Sequence, residues 1–395
     1  MSLKKKIKKY ILKKKKLKEL NTQEVVNYPR YQTSSKTICF LSAGIPTHDK
    51  DSGSNRLKEI ILSFKKLGYN CILAVENVFE DNPYVQFYKD LGVIVYVENH
   101  QYSFKEFLRS IPKIDYFWLN GANTLELYSS LTKEFKKLGG KTIYDMVDLH
   151  FLRYQRAIKL EPFRISLKKD FRKYYRLETK IAPKCEYIIC ISDKEKELMS
   201  QFTSEDKLLV ISNIHESKIE LEDRLPFSER KDIFFIGSIH EPNIDAVRYL
   251  YEEIMPLVWK QSPEIKVNIV GNVNEKLDET LYSKFKFIGY QKYIQSYFQN
   301  SVMMVAPLRF GAGVKGKIGQ ALEYHLPVVT TDIGSEGMFL THGENVLVAN
   351  TAKDFATEIL KLYHDEALWN YISQNAKEAL QPFSIQKIMS TLQKF

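Results

Sequence analysis

Two successive runs of alternating strand-like and helix-like segments constrain this chain more than any other feature. Short apolar, β-branched stretches fall at 37–42, 71–75, 93–97, 116–119, 142–144, 187–191 and 208–211. Stretches with helical spacing separate most of them, for example 54–67 and 124–138. Strands that alternate with helices imply βαβ units and a mainly parallel sheet. Residues 214–231 break the pattern, because they are charged and carry Pro226. The alternation then restarts, with strands expected at 233–236, 267–270, 285–288, 302–306, 328–330 and 346–348 and helices over about 351–395. A chain of 395 residues has room for two domains of ordinary size.

The segment PLRFGAGVKGKIGQALEYHLPVVTTDIG, residues 307–334, carries the densest chemistry. The apolar strand before it runs into a loop with Gly311, Gly313 and Gly316, and the loop opens a helix. Glycine lets a backbone approach a ligand closely. A helix N-terminus offers free N–H groups and partial positive charge, which suits phosphate. Lys315, Lys317 and Arg309 add full charges at the same mouth. The pattern reads as a diphosphate cradle on an α/β sheet edge. No Gly-Lys-Ser/Thr closes it, so it is not a Walker loop, and it is not GxGxxG either.

At these residues the chain resembles the retaining glycosyltransferases of the GT-B fold (glycosyltransferase group 1, family 4-like), which transfer sugars from nucleotide diphosphates. Three further stretches match in order: ICFLSAGIPTHDKDSGSNR (38–56) resembles the first strand and glycine turn, YDMVDLHFLR (144–153) the acceptor-side strand end, and FFIGSIHEPNIDAV (234–247) the start of the second domain. The resemblance implies two Rossmann-like domains whose parallel sheets face a central cleft. The expected division is a basic arm and linker (1–35), an acceptor-side domain (36–213), a linker (214–231), a nucleotide-sugar domain (232–380) and a helix returning to the first domain (381–395). Each motif follows a predicted strand, which puts all of them at the cleft.

Sugar transfer needs stabilisation of the departing diphosphate, a grip on base and ribose, and an aimed acceptor hydroxyl. For the diphosphate the expectation is Lys315, with Lys317 and Arg309 behind it, and with the loop glycines Gly311 and Gly313. The family often places a cation pair early in the second domain; here, after Gly237, Ser238 and Asn243 stand in those places, so charge would come from the lysine loop. The family's paired glutamates fall on Ala312 and Gln320. Gln320 retains a hydrogen-bond acceptor for ribose, weaker than a carboxylate. Glu323 is a less favoured substitute. Glu336, after the next strand, and Asn272, after the strand ending at residue 270, are further nucleotide contacts.

On the first domain Gly53 and Ser54 open a helix and suit contact with phosphate or donor sugar, while Ser52 or Ser54 equally suits a helix cap. Arg56, one turn on, belongs either to the cleft or to the surface. Asp145, Asp148, His150 and Arg153 form a polar cluster after the fifth strand. The resemblance places His150 and Asp148 near the acceptor or the transferred sugar, with Asp145 and Arg153 on the acceptor side, and histidine suits proton transfer. Asn213 and His215 either contact donor or cap the hinge turn. The resemblance further implies front-face attack with no side-chain nucleophile, and no metal or other cofactor beyond the donor itself.

Composition sets the remaining bounds. Cys39, Cys71, Cys185 and Cys190 lie in apolar runs without metal or redox spacing, and read as buried thiols in a reducing cytosol. No apolar run approaches the roughly 18–20 residues needed to span a bilayer. Residues 1–20 hold ten lysines and one glutamate, or +9 of the chain's net +10. Leu3, Ile7, Tyr10, Ile11, Leu17 and Leu20 form a narrow stripe on that arm. It reads as an anchor for an anionic membrane surface or as a solvated tail. Nucleic acid is not an expected partner: the arm has a single aromatic, and no nucleic-acid fold follows. The leading expectation is a metal-independent hexosyltransferase, cytoplasmic and peripheral to the membrane. It would act on a glycan or lipid-linked acceptor in surface polysaccharide or glycolipid synthesis. A non-catalytic sugar-nucleotide-binding scaffold and a hydrolysing sugar-nucleotide epimerase are the alternatives.

Overall fold

The computed structural model describes residues 31–98, 103–137 and 139–395. The basic arm at 1–20 lies outside them.

The first sheet holds β1 (Thr37–Ser42), β2 (Asn70–Ala74), β3 (Ile94–Val95), β4 (Tyr116–Asn120), β5 (Lys141–Asp145), β6 (Tyr187–Cys190) and β7 (Leu208–Val210) in the order 3-2-1-4-5-6-7. The second holds β8 (Ile233–Ile236), β9 (Val267–Val270), β10 (Phe285–Gly289), β11 (Met303–Ala306), β12 (Val328–Thr330) and β13 (Leu347–Val348) in the order 10-9-8-11-12-13. Every pairing in both sheets is parallel. The strands read as unbroken apolar runs because helices cover both faces. In β1 the side chains alternate between two cores: Cys39 and Leu41 pack on one side, Ile38 and Phe40 on the other. In β8, Ile233 and Phe235 go to one side and Phe234 to the other.

The strand order reverses beside β1 and beside β8, so a crevice opens at the carboxyl ends of both sheets. The residues after β1, β4 and β5 face those after β8, β9 and β11. The last helix, Ile385–Leu392, packs Ile388 and Leu392 into the core of the first sheet, and Phe395 beyond it joins them. The Phe395 carbonyl accepts from Lys36 Nζ at 2.6 Å and Tyr116 Oη at 2.8 Å.

One predicted helix differs. The stretch 124–138 is two helices, Ala122–Tyr128 and Thr132–Lys137. The Ser129 hydroxyl donates to the Glu126 carbonyl, the kind of local bond by which serine competes with helix propagation. The linker region carries short 3₁₀ turns at Leu221–Asp223 and Phe227–Glu229, and Arg224 and Arg230 strap it to the second domain over the ring of Trp369. All four cysteines are buried and unbridged. No helix among the described residues is long and apolar enough to cross a membrane.

Candidate active site

The crevice encloses a cavity of about 1100 Å³. Gly53, Asp148, His150 and Arg153 line it from the first domain; Gly237, Asn272, Gly311, Gly313, Lys315, Lys317 and Gln320 line it from the second.

On the second domain the helix Gly316–Glu323 starts at the cavity with Lys315 as its N-cap residue, and no side chain caps its first turn. Its leading N–H groups therefore face the space a ligand would fill. Lys315 Nζ donates to the Ala312 and Gly313 carbonyls of its own loop, at 3.0 and 2.5 Å. Lys317 Nζ donates to Asn243 Oδ1 at 2.6 Å and lies 4.2 Å from the centre of the Phe235 ring. Burial strips hydration from both ammonium groups. It pulls Lys315 down to about 8, even though Glu336 and Glu195 oppose the fall. Lys317 falls to about 7, with repulsion from Lys315 adding to burial. Asn243 stands where the resemblance expects a cation, and the structure fills that spot with the Lys317 head. Gln320 is half-buried on the cavity wall; Ala312 packs among the first-domain core.

The loop glycines serve a purpose that the sequence does not disclose. A Cβ on Gly313, whose φ is +71°, would lie 2.8 Å from Asp148 Cβ, and one on Gly316 would lie 2.6 Å from Ser52 Cβ. Gly337 likewise faces Ser192. What these glycines admit is the opposite domain. Gly313 N also donates to Glu195 Oε1 at 2.8 Å. Burial, followed by repulsion from Asp148, lifts the Glu195 carboxyl to about 7.

On the first domain the helix His150–Leu160 begins at the cavity. Its cap is remote in sequence: the buried Glu178 carboxylate accepts from His150 N at 3.0 Å, Phe151 N at 2.9 Å and His150 Nδ1 at 3.1 Å. The imidazole stacks on Tyr174 at 4.6 Å. Asp148 pairs with Arg153 at 2.7 Å and approaches His150 Nδ1 at 3.3 Å. Burial lowers the His150 pKa, but Asp148 and Glu178 outweigh it and hold the ring above its ordinary value. Burial would raise the Asp148 carboxyl, yet Arg153 and His150 keep it below its usual range. With Nδ1 fixed by carboxylates, Nε2 is the nitrogen left for a ligand, and the raised pKa suits it to donate.

Four expected site residues lie elsewhere. Asp145 is fully buried, paired with Arg56 at 2.7 Å and with Trp118 Nε1 at 3.0 Å; Arg56 also donates to the Ile211 and Ser212 carbonyls. This pair ties the first helix to β4, β5 and the end of β7, so Asp145 serves the fold and not the acceptor. Ser54 donates through N and Oγ to Asp51, which is the helix cap in place of either serine. Arg309 turns back to Asp245, at 2.6 and 3.0 Å, over the ring of Tyr249. Glu336 is gripped by Arg156 at 2.6 and 2.8 Å and by Lys194 at 2.9 Å, both from the first domain. It is an inter-domain link and not a nucleotide contact. Asn213 donates to the Val314 carbonyl at 3.3 Å, and His215 pairs with Glu323 at 2.7 Å, which occupies the substitute acceptor.

The sequence reading missed His240, which lines the cavity, and Glu178, Glu195 and Arg156, which hold the elements that form its walls. His240 lies in the stretch FFIGSIHEPNIDAV, so that signal was present. Nothing local marked the other three. The triplet Asp49-Lys50-Asp51 also reaches the cavity, but Asp49 accepts from Tyr84 at 2.7 Å and Asp51 caps a helix.

Two parallel-sheet Rossmann-like domains closing on a crevice lined by a lysine-bearing helix N-terminus are the GT-B arrangement. Residues 230–365 match the family described as Glycosyl transferases group 1. The second domain thus matches the group 1 glycosyltransferases, and the chain as a whole has the GT-B fold. An uncharacterized 44.6 kDa protein in the cps region of Klebsiella pneumoniae is 28% identical over 224 residues, covering 50% of this chain and 57% of that relative. The match therefore spans little more than half the length of that curated relative. HepE of Anabaena, solved with UDP-glucose, superposes with a TM-score of 0.68 at 15% identity over 91% of this chain and 100% of HepE. Sucrose-phosphate synthase of Thermosynechococcus elongatus gives 0.69 at 13% identity over 91% and 98%. At these identities the likeness concerns the fold.

Proposed function

We propose that this chain transfers a hexose from a UDP-sugar, with retention, to a glycan or lipid-linked acceptor in surface polysaccharide synthesis at the cytoplasmic face of the membrane. The observation that carries it is the convergence of Lys315, Lys317 and an uncapped helix N-terminus on a cavity whose other wall is His150 and Asp148. The solved neighbour that holds UDP-glucose supports the donor class, and the cps-region relative supports the pathway class.

In the proposed reaction the bond between C1 and the diphosphate oxygen breaks while the acceptor oxygen bonds to C1 on the same face. The acceptor proton passes to the departing diphosphate. Lys315, Lys317 and the helix N–H groups stabilise the charge that develops there and so do the work a metal would otherwise do. His150, held by Glu178 and Asp148, donates to a sugar or acceptor hydroxyl, and Gln320 accepts from ribose. The residues 1–20 would add a basic membrane anchor.

A second reading is a non-catalytic binding protein. Ala312 and Gln320 favour it, since neither supplies the carboxylate that the family places there. The test is turnover of UDP-hexoses by wild type and Lys315→Ala in the presence of membrane lipid extract, with NMR of the product. An α-linked product from an α-linked donor, lost in the variant, supports transfer with retention. UDP release with free or isomerised sugar and no acceptor dependence favours the hydrolysing epimerase. No release by wild type or by Gln320→Glu favours the binding protein.

A further inference from the structure

The helices His150–Leu160 and Ile165–Arg176 form a hairpin. Its inner side is occupied: Leu167 packs with Ala157 and Phe310, and Tyr174 joins the first-domain core. Its tip is not. Phe163 is 92% exposed and Ile165 81%, the two highest values among the large apolar side chains of the described residues. Apolar groups this exposed, two residues apart and beside half-exposed Leu160, mark a surface that meets something other than water.

Charge indicates what that something is. Ile165, Lys168, Lys169, Arg172 and Arg176 recur at helical spacings of three and four, share one face of the second helix, and are all exposed. Asp170, the helix's single acid, lies off that face. The tip also borders the crevice. Arg164 reaches Glu241 at 3.3 Å, and the neighbouring His240 and Pro242 line the cavity.

We propose that this hairpin is a membrane contact separate from the basic arm. Phe163 and Ile165 enter the interface of an anionic bilayer, and Lys168, Lys169, Arg172 and Arg176 meet its headgroups. A convex apolar tip flanked by cations fits a flat anionic lipid surface. The contact would hold the rim of the cavity at the bilayer, within reach of a lipid-linked acceptor; that consequence, unlike the contact, rests on the transfer reading above.

The test uses the full chain with Ser166→Cys, labelled at that thiol with an environment-sensitive dye. The four native cysteines are buried, which directs the label to the tip. Vesicles of phosphatidylcholine, with and without phosphatidylglycerol, are titrated in. The expected result is a blue-shifted, brighter signal with anionic vesicles that weakens in salt. Phe163→Ser with Ile165→Ser should abolish the shift, and Lys168→Gln and Lys169→Gln should each weaken binding roughly fivefold. These substitutions lie on the surface, and an unchanged melting curve verifies folding. Sedimentation with vesicles while the dye stays silent would place binding elsewhere and overturn the proposal. An equal response to neutral vesicles would also overturn it. So would a response to polyglutamate but not to vesicles, which would assign the face to an acidic protein. Nucleotide binding, measured on the same variants, reports separately on the donor site.

Discussion

The Arg156–Glu336 bridge should hold the two domains together, and its strength can be worked from the geometry. Two parallel bonds join the pair, and Arg156 also donates to the Gly311 carbonyl at 2.8 Å. The side chains are 19% and 8% exposed, so screening is weak. Burial alone would raise the Glu336 carboxyl, but the bonds from Arg156 and Lys194 outweigh it and hold it at about 2, against an ordinary 4.5. By linkage that fall corresponds to roughly 3 kcal/mol, an upper bound because the rim of the pair meets solvent. Lys194 is 67% exposed, and an exposed partner contributes about 0–1 kcal/mol. A double-mutant cycle of Arg156→Ala and Glu336→Ala on urea unfolding should give a coupling of about 1.5–3 kcal/mol, and Lys194→Ala with Glu336→Ala less than about 1 kcal/mol. Arg156→Lys should not restore it, since an ammonium cannot span both carboxylate oxygens and the Gly311 carbonyl. The folded pKa is depressed, so the contribution is complete above the ordinary value of 4.5 and fades only as pH falls toward about 2. Couplings near neutrality and at mildly acidic pH should therefore agree. Small-angle scattering should show both single variants more open. A coupling below about 0.5 kcal/mol would refute the account of the bridge.

Further predictions follow from the same geometry. Burial holds Lys317 at about 7 and Lys315 at about 8; a bound diphosphate would raise both. Binding above neutral pH should then take up protons, and affinity should fall as pH rises; calorimetry in buffers of different ionisation enthalpy reads this directly, and zero uptake at pH about 8 would contradict it. Gln320→Glu should tighten UDP binding by about 5- to 30-fold, through a charged acceptor worth roughly 1–2 kcal/mol more than an amide; unchanged affinity would remove Gln320 from the ribose site. Asp145→Ala should destabilise the fold by about 3–5 kcal/mol, because it strands the buried Arg56. The folded fraction should keep its nucleotide affinity, and a selective loss of binding would return Asp145 to the site. Gly316→Ala should loosen domain closure, as its Cβ would stand 2.6 Å from that of Ser52; an unchanged scattering radius would argue that the loop yields instead.

The sheets were legible because each strand is a short apolar run bounded by polar turns, a pattern that double-sided burial enforces. The lysine loop and the His150 cluster were legible because each directly follows such a strand. What stayed hidden depends on which side chains meet across the crevice. Glu178 caps a helix that begins 28 residues earlier in the chain, and Glu195 receives Gly313 from the other domain. Arg309 and Glu336 carried the right charge just after strands that reach the crevice, yet Asp245 and Arg156 claim them. Local sequence fixes where a charge leaves the backbone but not which partner lies within reach.

The central claim is that the lysine-lined cavity binds a nucleotide diphosphate. Titration calorimetry of UDP, GDP, dTDP, CDP and ADP against wild type and Lys315→Ala tests it most directly. The account predicts that UDP binds in preference to the others and that the variant loses that binding while keeping its melting temperature. Failure of all five to bind wild type, or equal binding by wild type and Lys315→Ala, would contradict it.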